Sequence, residues 1–208
     1  MKVAIVDYGA GNIESVRNAL WAAGAEALVA RDPDAVLAAD RLVLPGVGAA
    51  GAAAERLAAS GLGEALTEAV RRRGRPMLGI CLGMELLAER MFEFGEHRGL
   101  AWLAGSVVHL RDAGVARMRV PHTGWAVVDP VGSAQRFFQA PERMRTFYFC
   151  HSYTFVTPVH DAVAARTTYE SPLIAAVLDG TVFATQFHPE KSQSNGQKLI
   201  QAFLQWAP

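Results

Sequence analysis

The stretch Gly79-Ile80-Cys81-Leu82-Gly83 decides the fold of this chain, because it places a cysteine between two glycines directly after an apolar run. This pattern is a cysteine version of the nucleophile elbow, a sharp strand-to-helix turn that holds one side chain above a sheet. The flanking glycines are small enough for strand and helix to approach closely. We therefore predict a helix beginning at Leu82 and an exposed nucleophile at Cys81.

A base for this nucleophile is predicted in His188-Pro189-Glu190. Glu190 can accept a hydrogen bond from one ring nitrogen of His188, which leaves the other nitrogen facing the thiol. A nucleophile, a base and an orienting carboxylate are the set that covalent acyl transfer requires. An ordinary surface glutamate is the alternative for Glu190. Three other histidines lack an orienting pattern and are expected at the surface or in turns: His97, His109 and His160.

The second cysteine, Cys150, ends the aromatic run Thr146-Phe147-Tyr148-Phe149-Cys150, which contains no elbow. Free cysteine is commonly a small buried residue, so we expect Cys150 to be buried and structural. For Cys81, a helix N-terminus and a nearby imidazole would lower the thiol pKa, whereas apolar burial would raise it. The turn favours a lowered thiol pKa and therefore a reactive thiol.

The composition limits the classes of function. Acidic and basic residues number 20 each among 208 residues, so no excess charge attracts nucleic acid or an anionic membrane. The apolar run at residues 3–6 is too short for a secretory core, and no apolar run reaches the roughly 18 residues of a membrane span. No metal-binding or phosphate-loop motif occurs, so we expect neither a metal nor another cofactor. We predict a cytoplasmic protein with one domain, residues 1–208.

The first half of the chain alternates strand and helix patterns. Short continuous apolar runs, typical of parallel strands that are buried on both faces, lie at residues 3–8, 27–30, 41–44 and 77–80. A helical stripe at residues 13–20 ends at Gly24. Gly9-Ala10-Gly11-Asn12 lacks the third glycine of a dinucleotide-binding loop, so we interpret it as a strand-to-helix turn with Asn12 near the helix start.

The second half is rich in strands and predicts antiparallel or mixed sheet. Strand patterns lie at residues 107–110, 118–120, 146–155 and 162–168. Asp179-Gly180 predicts a two-residue hairpin turn, because both residues tolerate positive φ. The second strand of this hairpin would deliver His188 at its end. A last helix carries the apolar stripe Leu199, Ile200, Phe203 and Leu204.

Donors for an oxyanion are predicted at two places. Attack of a thiolate on an amide develops a negative oxygen, which preorganised donors stabilise. One donor is expected at the amide of Leu82, the residue after the nucleophile. Pro45-Gly46-Val47-Gly48 follows the third predicted strand, where elbow hydrolases draw the second donor from a loop. A plain turn is the alternative for this loop.

Together these motifs resemble the class I glutamine amidotransferases, whose Cys, His and Glu hydrolyse glutamine to glutamate and ammonia. Within the class, essentially the whole chain is similar to the glutaminase subunits of imidazole glycerol phosphate synthases. The resemblance implies a three-layer, flavodoxin-like α/β fold with a central, mostly parallel sheet and an additional antiparallel, strand-rich part. The motifs that carry it, besides the elbow, are Asp7-Tyr8-Gly9-Ala10-Gly11-Asn12, Pro45-Gly46-Val47-Gly48, Pro121-His122-Thr123-Gly124-Trp125, Tyr148-Phe149-Cys150-His151-Ser152-Tyr153 and Phe187-His188-Pro189-Glu190-Lys191-Ser192.

The resemblance also implies roles for individual residues. Cys81 would form a glutamyl thioester, His188 would shuttle protons, and Glu190 would orient His188. The amides of Val47 and Leu82 would form the oxyanion hole. The residues implied to bind the glutamine substrate are Gly46, Gly48, Glu85, His151, Ser152 and Tyr153.

A partner is implied as well, a cyclase subunit with a TIM-barrel fold that forms a heterodimer with this chain. Ammonia would cross to the cyclase, which uses it on a phosphoribosyl-linked carboxamide precursor in histidine biosynthesis. The products would be imidazole glycerol phosphate and an aminoimidazole carboxamide ribotide. Activity would stay low until the partner holds its ligand, with the loop at residues 45–48 rearranging. The residues implied at or near the interface are Asn12, Trp125, Tyr148 and Lys191.

The chain departs from the family pattern in two places, which together involve three positions. Glu85 stands where the class usually has Gln, so it loses an amide donor and adds negative charge beside a zwitterionic substrate. We expect weaker glutamine binding as a result. In and directly after the Pro-His-x-Gly-Trp motif, Thr123 and Ala126 stand where the family has Met and Asn. We expect these two changes to bear on ammonia transfer or on the interface.

Three other functions remain open on the sequence. An amidotransferase that serves another synthase, such as the pyridoxal phosphate one, would share the triad but not the Pro-His-x-Gly-Trp and Glu-Lys-Ser runs. A stand-alone cysteine hydrolase or peptidase would act without a partner. A catalytically silent binding subunit would tolerate loss of Cys81.

Overall fold

The computed structural model describes residues 1–208, apart from the side chain of residue 143. The strands are β1 (Val3–Val6), β2 (Ala27–Ala30), β3 (Arg41–Gly46), β4 (Met77–Cys81), β5 (Ala88–Met91), β6 (His97–Arg98), β7 (Leu103–His109), β8 (His122–Val127), β9 (Asp129–Pro130), β10 (Thr146–His151), β11 (Tyr153–Val156), β12 (Val163–Tyr169), β13 (Ser171–Asp179) and β14 (Val182–Thr185). The α-helices are α1 (Ile13–Ala22), α2 (Pro33–Leu37), α3 (Ala50–Ala59), α4 (Leu62–Leu66), α5 (Leu82–Glu85) and α6 (Gln193–Gln205). A π-helical segment, Thr67–Arg72, continues α4.

The main sheet has the strand order β2-β1-β3-β4-β14-β13-β12-β9. Neighbouring strands from β2 to β14 are parallel, and those from β14 to β9 are antiparallel. The parallel part follows the flavodoxin-like order, in which ligands bind beyond the carboxyl ends of the strands. The ends of β1, β3 and β4 therefore define the edge where a site is expected.

Helices cover both faces of this sheet. Ala4 and Val6 of β1 pack into a core with residues of α3 and α4, whereas Val3 and Ile5 pack into a second core with residues of α1 and α6. Successive side chains of a strand point to opposite faces, so a strand between two cores is apolar throughout. The predicted three-layer α/β fold is confirmed.

The strand-rich half forms two smaller sheets beside the main one. β8 and β10 pair as an antiparallel ribbon, and a second sheet has the order β11-β7-β5-β6. The single strand predicted at residues 146–155 is wrong, because the chain bends at Ser152 and divides it into β10 and β11, in different sheets. Both pieces are apolar and carry strand-forming residues, so the run itself gives no sign of the bend.

Residues 118–120 were also predicted as a strand, and they form none. The backbone N–H groups of Arg117 and Met118 instead donate to the carboxylate of Glu170, at 2.8 and 2.9 Å. The Glu170 carboxylate thus accepts the hydrogen bonds that a neighbouring strand would otherwise accept. Pro121, which follows, has no N–H to give a sheet.

The predicted hairpin is present, but its turn is shifted by one residue. Asp179 pairs with Val182, so the loop is Gly180-Thr181 and not Asp179-Gly180. Gly180 takes the positive φ, at 57°. Asp179 stays in β13, where its carboxylate lies 2.7 Å from Arg71 Nη1. The last helix is as predicted, since α6 buries Leu199, Ile200, Phe203 and Leu204.

Candidate active site

The nucleophile elbow predicted from the sequence lies at the end of β4. Cys81 has φ 53° and ψ −108°, a backbone conformation that is strained for any residue but glycine. A Cβ on Gly79 would lie 2.9 Å from Ala184 Cβ. A Cβ on Gly83 would overlap the Leu44 carbonyl oxygen. The elbow therefore needs both glycines to bring strand and helix together.

The thiol of Cys81 is less accessible than predicted. The residue is only 7% exposed. Burial, followed by the negative charges of Glu85 and Glu190, raises the pKa of the Cys81 thiol well above its usual value, and the Leu82 N–H opposes this only in part. The expectation of an exposed thiol with a lowered pKa is thus wrong for this chain alone. The elbow lifts the side chain above the sheet, but neighbouring residues cover it.

The end of β3 lies directly beside Cys81. Gly46 is the register partner of Cys81. The buried Tyr8 hydroxyl donates to the Pro45 carbonyl oxygen at 2.9 Å and so fixes this strand end. A Cβ on Gly46 would lie 2.7 Å from Leu82 Cβ, so only glycine lets the strand pass so close to α5. Sequence reasoning missed the role of Tyr8. The clue in the sequence is its type, an aromatic residue with a polar group, placed just after a buried strand.

The loop beyond Gly46 reaches the surface. Val47 is 42% exposed and Gly48 has φ 103°. The loop ends at α3, where the Ala50 N–H donates to the carboxylate of Glu93. The predicted oxyanion loop is therefore anchored at both ends and exposed between them. Its role as a donor stays a prediction.

His188 reaches the same sheet edge from the neighbouring strand. Thr185, the last residue of β14, lies opposite Ile80 in β4, and His188 follows shortly after. His188 Nδ1 lies 2.8 Å from Glu190 Oε1, and both side chains are 3% exposed. Because an ionised carboxylate only accepts hydrogen bonds, Nδ1 carries the proton and Nε2 is free to act as the base. The structure thus brings together the two residues that the sequence pairs.

Ser192 fixes the turn that carries His188. Its Oγ donates to the His188 carbonyl oxygen at 2.6 Å and accepts from the Tyr148 N–H at 3.0 Å. The His188 N–H in turn donates to the Tyr148 carbonyl oxygen at 2.9 Å. The His188 turn is therefore fastened to β10 of the ribbon.

Glu85, the residue that departs from the family pattern, is buried in α5. Gln186 Nε2 donates to Glu85 Oε1 at 2.8 Å and lies 4.0 Å from Cys81 Sγ. Burial raises the pKa of Glu85 to about 7, and the Gln186 hydrogen bond opposes this shift. Sequence reasoning missed Gln186. Its only signal is an amide between the end of β14 and the buried Phe187.

The residues predicted to bind glutamine at positions 151–153 lie where β10 gives way to β11. His151 is 6% exposed, and its Nδ1 lies 2.6 Å from the Tyr153 carbonyl oxygen. Ser152 and Tyr153 are half-buried. Burial, with nearby carboxylates that include Glu85, raises the pKa of Tyr153. The turn therefore lies close to the elbow, and its contact with glutamine stays a prediction.

Three of the residues predicted at a partner interface form one group, which we call the aromatic patch. Trp125 on β8 is opposite Tyr148 on β10, with ring centroids 6.0 Å apart. Lys191 Nζ lies 6.0 Å from the centroid of the Tyr148 ring. Trp125 is 48% exposed, so the patch is open to a partner. Asn12, the fourth residue, is exposed and caps α1, accepting a hydrogen bond from the Ser15 N–H.

The prediction that Cys150 is buried is wrong, because its side chain is exposed. Strand β10 alternates, with Phe147 and Phe149 buried and Cys150 on the opposite face beside Thr123 of β8. A two-stranded ribbon has one face against the core and one outside. Aromatic residues on both faces hide this alternation in the sequence.

Within the residues that the structure describes, no group of His, Cys, Asp and Glu side chains could hold a metal ion. Across the same residues, no helix has the length and apolar character to cross a membrane.

The fold and the site define a class of protein, and comparison with known families gives the same class. Residues 4–206 match the family described as glutamine amidotransferase class-I. The chain is 43% identical to imidazole glycerol phosphate synthase subunit HisH of Zymomonas mobilis, over 99% of this chain and 96% of that protein. It is 42% identical to the same subunit of Rhodospirillum rubrum, over the full length of both. The chain therefore belongs to the HisH family of class I glutamine amidotransferases.

Solved structures agree with this assignment at the level of the fold. A crystal structure of a glutamine amidotransferase has a TM-score of 0.73 and 21% identity, covering 98% of this chain and 97% of that one. PurLQS from Thermotoga maritima has a TM-score of 0.69 and 19% identity, with the same coverage. Such low identity supports the α/β architecture and nothing finer.

Proposed function

We propose that this chain hydrolyses glutamine to glutamate and ammonia, and that it passes the ammonia to a cyclase subunit in histidine biosynthesis. Membership of the HisH family supports this function. The observation that carries it is the strained Cys81 elbow at the sheet edge that also holds the His188–Glu190 pair. The predicted cytoplasmic location belongs to the same proposal.

The reaction proceeds in two steps. The Cys81 thiol gives its proton to His188 Nε2, and the sulfur attacks the side-chain amide carbon of glutamine. The C–N bond then breaks while His188 returns the proton to the leaving nitrogen, so ammonia departs and a glutamyl thioester remains. Water attacks the thioester, and His188 moves the water proton to the sulfur as glutamate leaves. Glu190 keeps the imidazole in the required tautomer throughout.

The oxyanion of each tetrahedral intermediate is assigned to the amides of Val47 and Leu82. Leu82 opens α5 directly after the nucleophile. Val47 follows Gly46, the register partner of Cys81, in a loop that is exposed between two anchored ends. Such a loop can reorient a peptide without disturbing β3 or α3. Each oxyanion donor contributes on the order of 100-fold or more to kcat in comparable enzymes.

The partner is proposed to be a TIM-barrel cyclase that forms a heterodimer through the aromatic patch. Trp and Tyr are enriched among interface hot spots, and Trp125 of the patch is half exposed. The patch adjoins the site through Tyr148, whose carbonyl accepts from the His188 N–H. Docking at the patch thus acts on the turn that carries the base.

Activity of the free chain is expected to be low. The Cys81 thiol is buried and its pKa is raised, so the thiolate is scarce near neutral pH. Glutamate release should therefore be measured for the chain alone, with the cyclase, and with the cyclase loaded with its phosphoribosyl ligand. Strong activation only in the loaded complex is the expected result. Full activity of the chain alone would favour an independent hydrolase, and none in any mixture would favour a silent subunit.

The interface is tested separately with two exposed tryptophans. Trp125→Ala should weaken cyclase binding by roughly 30-fold, the scale of an interface hot spot. Trp21→Ala is the matched control, because Trp21 is 76% exposed on α1 and outside the patch. Equal affinity for the two variants would place the interface elsewhere.

A further inference from the structure

A pair of buried histidines lies beside the candidate site, and the hydrogen bond between them has no part in the reaction described above. His122, the first residue of β8, is 3% exposed, and His151 is 6% exposed. His122 Nδ1 lies 3.1 Å from His151 Nε2. The His122 ring is stacked between Phe149 and Tyr169, with centroid distances of 4.7 and 3.9 Å. Packing on both faces holds this ring in one orientation.

The hydrogen bonds determine the tautomer of both rings. His151 Nδ1 lies 2.6 Å from the Tyr153 carbonyl oxygen, which can only accept, so the proton is on Nδ1. His151 Nε2 is then an acceptor, and the proton between the rings belongs to His122 Nδ1. Burial lowers the pKa of His122 to about 4 and that of His151 to about 3, so both rings are neutral near pH 7. The result is a directed chain from His122 to His151 to Tyr153.

This chain ends on the turn that is assigned to glutamine binding. Ser152 separates β10 from β11, and its carbonyl oxygen accepts from the Leu110 N–H at 2.9 Å. The Tyr153 carbonyl is held by His151 on the other side. The turn is thus fixed at two successive carbonyls, one of them by a side chain whose own position depends on His122.

We propose that His122 is a positioning residue for glutamine binding, acting through His151 on the backbone of Ser152 and Tyr153. The inference rests on the function proposed above, since it concerns the glutamine pocket of the same site. His122 itself touches neither glutamine nor Cys81 in this role. Loss of its donor leaves His151 Nε2 buried and unpaired, which the turn can relieve only by moving.

Two variants separate the hydrogen bond from ring packing. His122→Phe keeps an aromatic ring between Phe149 and Tyr169 but removes the donor. His122→Asn loses the ring but can place an amide N–H where Nδ1 was. Tyr169→Phe is the control, because it removes a hydrogen bond of the same cluster, to the Arg119 carbonyl, that lies outside the chain.

The readout is alkylation of Cys81 by a chloroketone analogue of glutamine in the complex with the loaded cyclase, which separates binding (KI) from the chemical step (kinact). We expect His122→Phe to raise KI about 10-fold with kinact nearly unchanged, as for loss of one buried hydrogen bond. His122→Asn should stay within about 3-fold of the parent chain, and Tyr169→Phe should match it. Unchanged KI in His122→Phe, or equal loss in His122→Phe and His122→Asn, would overturn the inference.

A spectrum of the unmodified chain tests the same inference without any variant. Long-range ¹H–¹⁵N correlation should show the neutral Nδ1–H tautomer for both His122 and His151, and an Nε2–H tautomer at His122 would refute the chain. The two proposals also fail differently. A parent chain that the glutamine analogue does not label even in the complex with the loaded cyclase loses the proposed function and this inference with it. A labelled parent with normal KI in His122→Phe loses only the inference.

Discussion

The sheet edge at Cys81 and the ribbon of β8 and β10 meet at the His188 turn, and each contains one of the two cysteines. At the edge, the thiol is buried on a strained backbone between glycines that have no free space. On the ribbon, the Cys150 side chain is exposed beside Thr123. Exposure therefore does not favour Cys81 as the proposed nucleophile. Its place at the sheet edge that also carries the His188–Glu190 pair does, because acyl transfer depends on alignment of nucleophile and base.

The same contrast holds for packing. At the edge, a Cβ on Gly46, Gly79 or Gly83 would approach a neighbouring atom to 2.9 Å or less, because strands and helix pack closely there. The ribbon presents one face to solvent and has room around its backbone. An added methyl group on a glycine of the edge should therefore cost stability, whereas one at Gly124 of the ribbon should cost little.

The largest expected effect compares the two cysteines. Cys81→Ser should lower glutamate release by the loaded complex about 10⁴-fold or more, the scale for loss of a covalent nucleophile. Cys150→Ser makes the same atomic change on the ribbon and should leave the rate within about twofold, as expected for a surface position. Steady-state assays of both variants with the loaded cyclase provide the measurement. Residual activity of Cys81→Ser near that of the parent would assign the chemistry to another residue.

Reagents that do not resemble glutamine should react with Cys150 before Cys81, which is the opposite of the order in which the two cysteines matter for glutamate release. Iodoacetamide should modify the exposed Cys150 first, because Cys81 is buried and its pKa is raised. Peptide mapping after partial alkylation gives the order. Faster labelling of Cys81 would mean that the edge is more open in solution than in the structure.

The second prediction compares one glycine from each region. In Gly83→Ala the new Cβ would overlap the Leu44 carbonyl oxygen, so α5 must move away from β3. We expect a loss of more than about 3 kcal/mol in the free energy of unfolding, at the upper end for overpacking. In Gly124→Ala no atom lies within 4 Å of the new Cβ, and only the positive φ of 136° opposes it, at a cost of about 1 kcal/mol.

Urea unfolding of the two glycine variants, followed by circular dichroism, measures this difference. Equal losses would mean that the close approach of α5 to β3 relaxes at little cost. A Gly83→Ala chain that does not fold would agree with the prediction, provided that Gly124→Ala folds normally.

The two regions also differed in how far the sequence revealed them. The edge was predicted well, because continuous apolar runs mark parallel strands and Gly-x-Cys-x-Gly marks the elbow. The ribbon was predicted poorly. Its exposed face carries Tyr148 and its buried face Phe147 and Phe149, so the period-two pattern is hidden and Cys150 was wrongly placed inside.

What the sequence could not supply are contacts between distant residues. Gln186 has no motif spacing to Glu85, yet it hydrogen-bonds to that residue across α5 and the end of β14. The raised pKa of Cys81 has a similar origin, because burial is its largest cause and Glu190, which adds to it, lies more than 100 residues away in the chain. A turn motif predicts the backbone of a nucleophile, but its environment depends on tertiary packing.

The smallest of the expected effects concerns Glu85, a charge change at the edge. Burial raises the pKa of Glu85 from 4.5 to about 7. Between these values the folded chain holds a proton that the unfolded chain releases, so the contribution of Glu85 to stability is complete below pH 4.5 and lost as pH rises to 7. Glu85→Gln has no group that titrates at this position, so it does not lose stability in this way as the pH rises. Its stability relative to the parent should therefore grow by about 3 kcal/mol from pH 4.5 to pH 8.

Urea unfolding at both pH values tests this change. Glu55→Gln, on the exposed face of α3, is the control, because it makes the same change of charge at an exposed position. The control should show little dependence on pH.

Glu85→Gln also removes a negative charge beside Cys81, so it should lower the thiol pKa and let alkylation begin at lower pH. Glu85→Gln should also lower KM for glutamine in the loaded complex, because the amide restores a donor without charge. A pH-independent stability difference together with an unchanged KM would show that Glu85 is hydrated and lies away from the substrate, so the edge would be less closed than its packing indicates.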